Sequence, residues 1–127
     1  MSRPSVAILG ASADRTKYGN KAVRAHLAQG YDVYPVNPKG GQIEGLTVYA
    51  ELAAVPVERL DRISVYLPPA VTVEILSQIA AKGCGELWLN PGSESPAAIN
   101  EARRLGLEPI QACSIVDLGL SPRQFGA

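Results

Sequence analysis

Short apolar runs recur from one end of this 127-residue chain to the other, each separated from the next by a segment with helical spacing. This alternation constrains the fold more than any other feature of the sequence. VAILG, from Val6 to Gly10, is a continuous apolar run ending in glycine, the pattern of a strand buried on both faces. DVYPV from Asp32, ISVYL from Ile63, ELWL from Glu86 and PIQA from Pro109 repeat it, and TVY from Thr47 is a candidate short strand at an edge. Pro35 cannot donate a ladder hydrogen bond, so it belongs toward the carboxyl end of its strand.

The intervening segments read as helices. From Asn20 to Gln29, Val23 and Leu27 share one face, and Gly30 stops the segment. Val71, Ile75 and Ile79 recur every fourth residue with Leu76 and Ala80 beside them, before Gly83. Ser95 followed by Pro96 is a helix start with an N-cap and a first-turn proline, and Ile99, Ala102 and Leu105 form the stripe that Gly106 closes. Strands alternating with helices of about ten residues imply right-handed crossovers and a parallel sheet covered on both faces. The predicted fold is α/β: a three-layer, doubly wound, Rossmann-like sheet of five to six strands in a single domain, residues 1–127.

Composition narrows the function. Twelve basic and twelve acidic residues cancel, so no global field draws the chain to nucleic acid or to an anionic membrane, and an anionic ligand must be held locally. No apolar run reaches the ~20 residues of a membrane span, and the N-terminus lacks the apolar block of a signal peptide, which predicts a cytoplasmic protein. Cys84 and Cys113 lack CxxC spacing and read as reduced thiols. With one histidine and no local metal spacing, a dedicated metal site is not expected.

In a doubly wound sheet, ligands bind beyond the carboxyl ends of the strands, where the strand order reverses. Those ends carry GASADRTKYGN, NPKGG, PPAVT, NPGSES and a final Cys-Ser, all directed to one rim. The first loop matches neither the dinucleotide fingerprint nor the Walker A motif, because Ser12 and Arg15 stand where glycines are needed. It keeps their physics: a glycine turn at Gly10, a short hydroxyl at Ser12, a helix N-terminus near Gly19 that favours phosphate, and positive charge from Arg15 and Lys17. A side chain at Gly10 would then intrude on a bound pyrophosphate or strain the turn, while leaving the overall fold in place. After the second strand, where an NAD site places an acid, the chain reads Asn37-Pro38-Lys39. A cation there points to a ribose bearing an extra phosphate, as in NADP or coenzyme A.

VAILGAS, HLAQGYDVYPVNPKG, IEGLTVYAEL, the YLPP turn, LWLNPG and the late cysteine together resemble the small bacterial and archaeal CoA-binding proteins. These are similar to the N-terminal domain of the succinyl-CoA synthetase α subunit. The resemblance spans nearly the whole chain, and GYDVYPVNPK is its most specific piece. It implies that Gly10, Ala11, Ser12, Arg15 and Lys17 line the pyrophosphate, and that Asn37, Pro38 and Lys39 meet the adenosine phosphate. It further implies that Leu67, Pro68 and Pro69 flank the adenine and that Asn90, Pro91 and Gly92 face the pantetheine. Leu67 stands where that family often has arginine, and Asn90 where glutamine is common.

Catalytic groups are sparse. His26, the only imidazole, falls within the first helix and reads as a partly exposed helix residue. Glu94 is the one carboxylate expected on the rim, and Cys113, after the last strand, reads as a small buried apolar residue, with disulfide exchange at the thiol end of CoA as the alternative. The expected function is binding of CoA or acyl-CoA without catalysis, as a homodimer or with a protein partner. The alternatives are an NADP-dependent oxidoreductase and an interaction subunit without ligand. Ligase chemistry does not follow from the resemblance, because the phosphorylated histidine of succinyl-CoA synthetase belongs to a separate domain.

Overall fold

Each predicted apolar run forms a strand in the computed structural model, which describes residues 3–126. Strands β1 (Ser5–Leu9), β2 (Asp32–Val36), β5 (Leu60–Val65), β6 (Cys84–Leu89) and β7 (Pro109–Ile110) pair in the order β2-β1-β5-β6-β7, every pairing parallel. Helices α1 (Tyr18–Ala28), α2 (Pro69–Lys82) and α3 (Pro96–Arg104) make the crossovers, with a one-turn α4 (Ser114–Asp117) after β7. From β1 the chain winds first to β2 and then crosses to β5 on the other side, so the strand order reverses between β1 and β5.

Alternation along the strands divides the core in two. Ala7, Leu9, Ile63, Val65, Leu87 and Leu89 point to one face and pack beneath α2 and α3 with Leu76, Ile79, Ala98 and Ala102. The opposite face carries Val6 and Ile8 under Ala22, Val23 and Ala25 of α1. In register with these come Arg62, Ser64, Glu86 and Trp88, where polar groups replace aliphatic ones.

The edge differs from the expected strand. Thr47 lies in β4 (Leu46–Thr47), which pairs antiparallel with β3 (Gln42–Ile43) in a separate two-stranded hairpin. Tyr49 makes the backbone bridge to the main sheet: its N–H donates to Pro35 O at 3.0 Å, and its carbonyl accepts from Asn37 N at 3.0 Å. The Pro35 carbonyl faces this outer side, so the N–H that proline lacks is not one that β1 needs.

The apolar stripe of α2 is also rotated from its predicted position. Thr72, Leu76 and Ile79 are buried, whereas Val71 is exposed and Ile75 half-buried. The Thr72 hydroxyl turns inward to donate to Pro68 O and Leu67 O at 3.2 and 3.3 Å. Helix α3 starts as expected, with the Ser95 hydroxyl accepting from Ala98 N at 3.0 Å.

Gly10 has a structural reason of its own. Its φ is +83°, and a Cβ there would lie 2.2 Å from Tyr66 O, because the ends of β1 and β5 approach too closely for any side chain. A Cβ on Gly19 would lie 2.2 Å from Gly10 O, so the start of α1 presses on the same turn. The expectation that a substitution at Gly10 spares the fold is therefore corrected: this glycine closes the backbone before any ligand arrives.

Candidate functional site

The reversal of strand order opens a cleft of about 440 Å³ between the end of β1 and the end of β5. Gly10, Lys17, Leu67, Pro68, Pro69, Pro91 and Gly92, all singled out in the sequence, line it, and Tyr18, Gly19, Tyr66 and Ser93 complete it. A shallower depression of about 200 Å³ lies beyond the end of β2, where Ser12, Asn37 and Lys39 meet Ala13, Asp14, Gly40, Gln42 and Ile43. The loops after β1, β2, β5 and β6 thus converge on one rim.

Local hydrogen bonds fix these loops. Asn37 Nδ2 donates to Ala11 O at 2.8 Å while Asn37 Oδ1 accepts from Lys39 N at 2.9 Å, an Asx turn that ties the β2 loop to the β1 loop. Asp14 accepts from Thr16 N and Thr16 Oγ1 at 3.0 and 2.6 Å, and these hydrogen bonds hold its carboxyl pKa below the usual range. Buried Asn20 donates to Ser12 O at 2.8 Å and accepts from Arg24 Nε at 2.7 Å. Arg24 in turn donates to Arg15 O and Phe125 O at 2.8 and 2.7 Å, clamping the first loop to the C-terminal turn. Asp14, Asn20 and Arg24 were not singled out from the sequence. Their roles depend on which loops the fold brings together.

The cations of the rim differ in availability. Arg15 pairs with Glu44 at 3.5 Å, whereas exposed Lys17 and Lys39 form no ion pair among the described residues. Lys17 is also the N-cap of α1, and no side chain caps that helix. Tyr18 and Gly19, which begin the helix, line the cleft together with Lys17, and the dipole of a helix N-terminus favours an anion there.

Two predicted contacts lie inward. Ala11 is fully buried, so only its backbone takes part, through the bond to Asn37. Asn90 is buried as well: Nδ2 donates to Ser64 Oγ and Val65 O at 2.8 and 2.9 Å, and Oδ1 accepts from Ser114 N at 2.8 Å. With its amide engaged in this way, Asn90 props the loop that presents Pro91 and Gly92 and turns its side chain away from the cleft. Arg15 and Pro38 are exposed beside the depression without lining it. Glu94 accepts from Gly92 N at 3.3 Å.

The imidazole is far less accessible than the sequence suggested. His26 is fully buried, Nδ1 donating to Ala22 O at 2.8 Å and Nε2 lying 3.4 Å from Arg62 Nη1. Burial, reinforced by the Arg62 charge, pushes its pKa down to about 4, against the raising influence of the Ala22 carbonyl and Asp117. Arg62 donates to Asp117 Oδ2 at 2.6 Å and to Glu86 Oε1 at 3.1 Å, with its guanidinium 4.8 Å from the Trp88 ring centroid. Burial disfavours the guanidinium charge, yet Asp117, Tyr31 and Glu86 outweigh it and hold its pKa above the ordinary value. The alternations Arg62-Ser64-Tyr66 and Glu86-Trp88-Asn90 mark this polar face in the sequence, a period-two signal that the reading of continuous apolar strands overlooked.

Among the described residues, no group of His, Cys, Asp or Glu is arranged to hold a metal, and no helix is long and apolar enough to cross a membrane. A five-stranded parallel sheet with helices on both faces and a cleft at its switch point places the chain among Rossmann-like α/β proteins. It belongs to the CoA binding domain family, whose pattern residues 4–119 match. The chain is 36% identical over 97 residues to a trans-feruloyl-CoA synthase of an unknown prokaryotic organism, covering 73% of this chain and 13% of that one. It is 34% identical over 139 residues to the α subunit of an ADP-forming acetate–CoA ligase of Pyrococcus furiosus, covering 97% and 30%. The chain therefore spans less than a third of the length of these relatives. Among solved structures, a conserved hypothetical protein from Pyrococcus furiosus superposes with a TM-score of 0.79 at 31% identity, covering 91% of this chain and 99% of that one.

Proposed function

We propose that the chain binds coenzyme A or an acyl-CoA along this rim and has no catalytic activity of its own. The diphosphate would lie at the Gly10–Ser12 turn and the start of α1, with Lys17 beside it. Asn37, Pro38 and Lys39 would meet the phosphorylated ribose in the β2 depression. Leu67, Pro68 and Pro69 would flank the adenine, and Pro91 and Gly92 the pantetheine. Arg15 would contribute only field, being paired with Glu44.

The observation that carries this reading is the match of two recesses with two cations that form no ion pair among the described residues: Lys17 on the cleft and Lys39 on the depression. CoA separates its diphosphate from its ribose phosphate by the ribose, which calls for two anion sites on neighbouring loops. An NAD site would place a carboxylate after β2, where this chain has Asn37 with both side-chain polar atoms hydrogen-bonded to backbone. The relatives' names, a feruloyl-CoA synthase and an acetate–CoA ligase, support CoA over NADP. Because they are much longer, their chemistry is assigned here to other parts of those proteins or to a partner.

Support for a purely binding role comes from the acid–base inventory. The only histidine is sealed against Arg62, and the rim carboxylates Asp14 and Glu94 are engaged with loop backbone. Binding the ground state alone gives no acceleration. Thermal unfolding in the presence of CoA, dephospho-CoA, NADP or NAD tests the ligand. CoA at one hundred times its dissociation constant adds about 2.7 kcal/mol, several degrees for a domain of this size. A larger shift with NADP would overturn the reading. Release of thiol from acetyl-CoA at the buffer rate is the expected companion result, and turnover proportional to protein would make the chain an enzyme.

A further inference from the structure

A second recess of about 310 Å³ shares Tyr18, Tyr66 and Pro91 with the main cleft and continues past them to Cys113, Val116 and Pro122. Its walls differ in kind from those of the cleft. Among the described residues, no lysine, arginine, aspartate or glutamate lines it. The Tyr66 hydroxyl lies 3.2 Å from Ser114 Oγ, and burial pushes its pKa up to about 12, so the ring presents a neutral surface. Tyr18 and Val116 are 57% and 59% exposed, and with Val71 they are the large hydrophobic residues left exposed among those described. Two of these three therefore face a single recess that opens onto the cleft, an arrangement that favours an apolar occupant arriving with the ligand of the cleft.

We infer that this annex receives the acyl group of an acyl-CoA, and that the group is an uncharged chain or aromatic ring of medium size. The inference rests on the proposed CoA site, because the acyl group would enter from the pantetheine end past Pro91. A cavity of about 150 Å³ lined by aliphatic side chains accommodates benzene, so an annex of roughly twice that volume suits a benzoyl or hexanoyl group and leaves an acetyl group underfilling it. A succinyl group would bring a carboxylate into walls that offer it no cation, at the cost of its hydration. Cys113 contributes a small polarisable wall in this arrangement.

Calorimetry of the whole chain with CoA, acetyl-CoA, succinyl-CoA, hexanoyl-CoA and benzoyl-CoA tests the inference. Hexanoyl-CoA and benzoyl-CoA should bind about ten- to a hundredfold more tightly than CoA, because the annex buries only part of the acyl group, with acetyl-CoA and succinyl-CoA close to CoA. Val116 is exposed, so Val116→Asp and Val116→Trp should both fold. The first places a charge in the annex and the second fills it, and each should abolish the preference while leaving CoA affinity unchanged. If wild type binds CoA but shows no preference for the larger acyl groups, or if both variants retain it, the annex is not the acyl site and the CoA reading stands. A failure to bind CoA at all overturns both. Tightest binding of succinyl-CoA would overturn the uncharged class.

Discussion

Lys39 and Arg62 both carry a cation, and the structure treats them in opposite ways. Lys39 stands exposed over a depression with no acidic partner within ion-pair distance among the described residues. Arg62 lies toward the amino end of β5, 4% exposed, between Glu86, Asp117, His26 and Trp88. A guanidinium with a planar fork can be buried when each edge finds a partner, whereas an ammonium on a flexible stem remains hydrated and free to meet a ligand. The contrast separates a region that stabilises the fold from one that is available for binding. Substitutions in the first should change unfolding and leave affinity alone, and substitutions in the second should do the reverse.

Gly10 is where the two regions meet, and it carries the largest expected effect. Even alanine there would bring Cβ within 2.2 Å of a backbone carbonyl at a φ of +83°. Valine adds a branched side chain to the same strain, so Gly10→Val should destabilise by about 4 kcal/mol or more, a fall in Tm of well over about ten degrees. A variant that melts like wild type but no longer binds CoA would show that the glycine serves the ligand rather than the join between β1 and β5.

Arg62→Met should come next, at about 3 kcal/mol, toward the low end for a broken buried pair. Asp117 and Glu86 are 43% and 46% exposed, so water can reclaim them. Chemical denaturation would read the loss. CoA affinity of the folded variant should stay within about twofold, since no contact of Arg62 reaches the cleft; a larger change would show that the two regions are coupled through α4.

His26 sharpens the comparison through pH. Its folded pKa of about 4 lies below the ordinary 6.5, so at acid pH the unfolded chain binds a proton that the folded chain refuses. Stability should therefore be fully present above pH 6.5 and fall as pH drops toward 4, by about 3 kcal/mol in all. His26→Gln should flatten that slope. The exposed carboxylates Asp14 and Glu101, held below their usual pKa by hydrogen bonds from Thr16 and Arg104, lose their contribution at lower pH, so the windows are separable. A slope unchanged in His26→Gln would assign the acid sensitivity elsewhere.

What the sequence disclosed follows the range of each physical signal. Strand runs and helix stops are local, and VAILG, DVYPV and the Ser95-Pro96 start declared their elements without tertiary knowledge. The α1 face was less legible because a continuous apolar run and a one-sided polar alternation overlap in residues such as Arg62-Ile63-Ser64-Val65. Exposure of His26 was misjudged for a related reason: whether a helix histidine meets water depends on the strand residue opposite, and Arg62 is 36 residues away. The rim was legible as a set of loops. Which side chains face outward was not, since Asn90 and Asn37 look alike in sequence while one braces a buried network and the other borders the depression.

The smallest effect belongs to Lys39, and it bears most directly on function. Lys39→Ala removes no ion pair and exposes nothing new, so unfolding should change by no more than about 0.5 kcal/mol. If its ammonium meets the ribose phosphate of CoA, the variant loses a charge-assisted contact of about 1.5 kcal/mol, since the site is open to water, or about tenfold in affinity. Dephospho-CoA lacks that phosphate and should bind wild type and variant alike. The affinity ratio between CoA and dephospho-CoA should therefore collapse in the variant, and the wild-type ratio should shrink as salt is raised, because an exposed pair is screened. Equal losses for both ligands would move Lys39 to the diphosphate, and no loss for either would leave the depression beyond β2 outside the site.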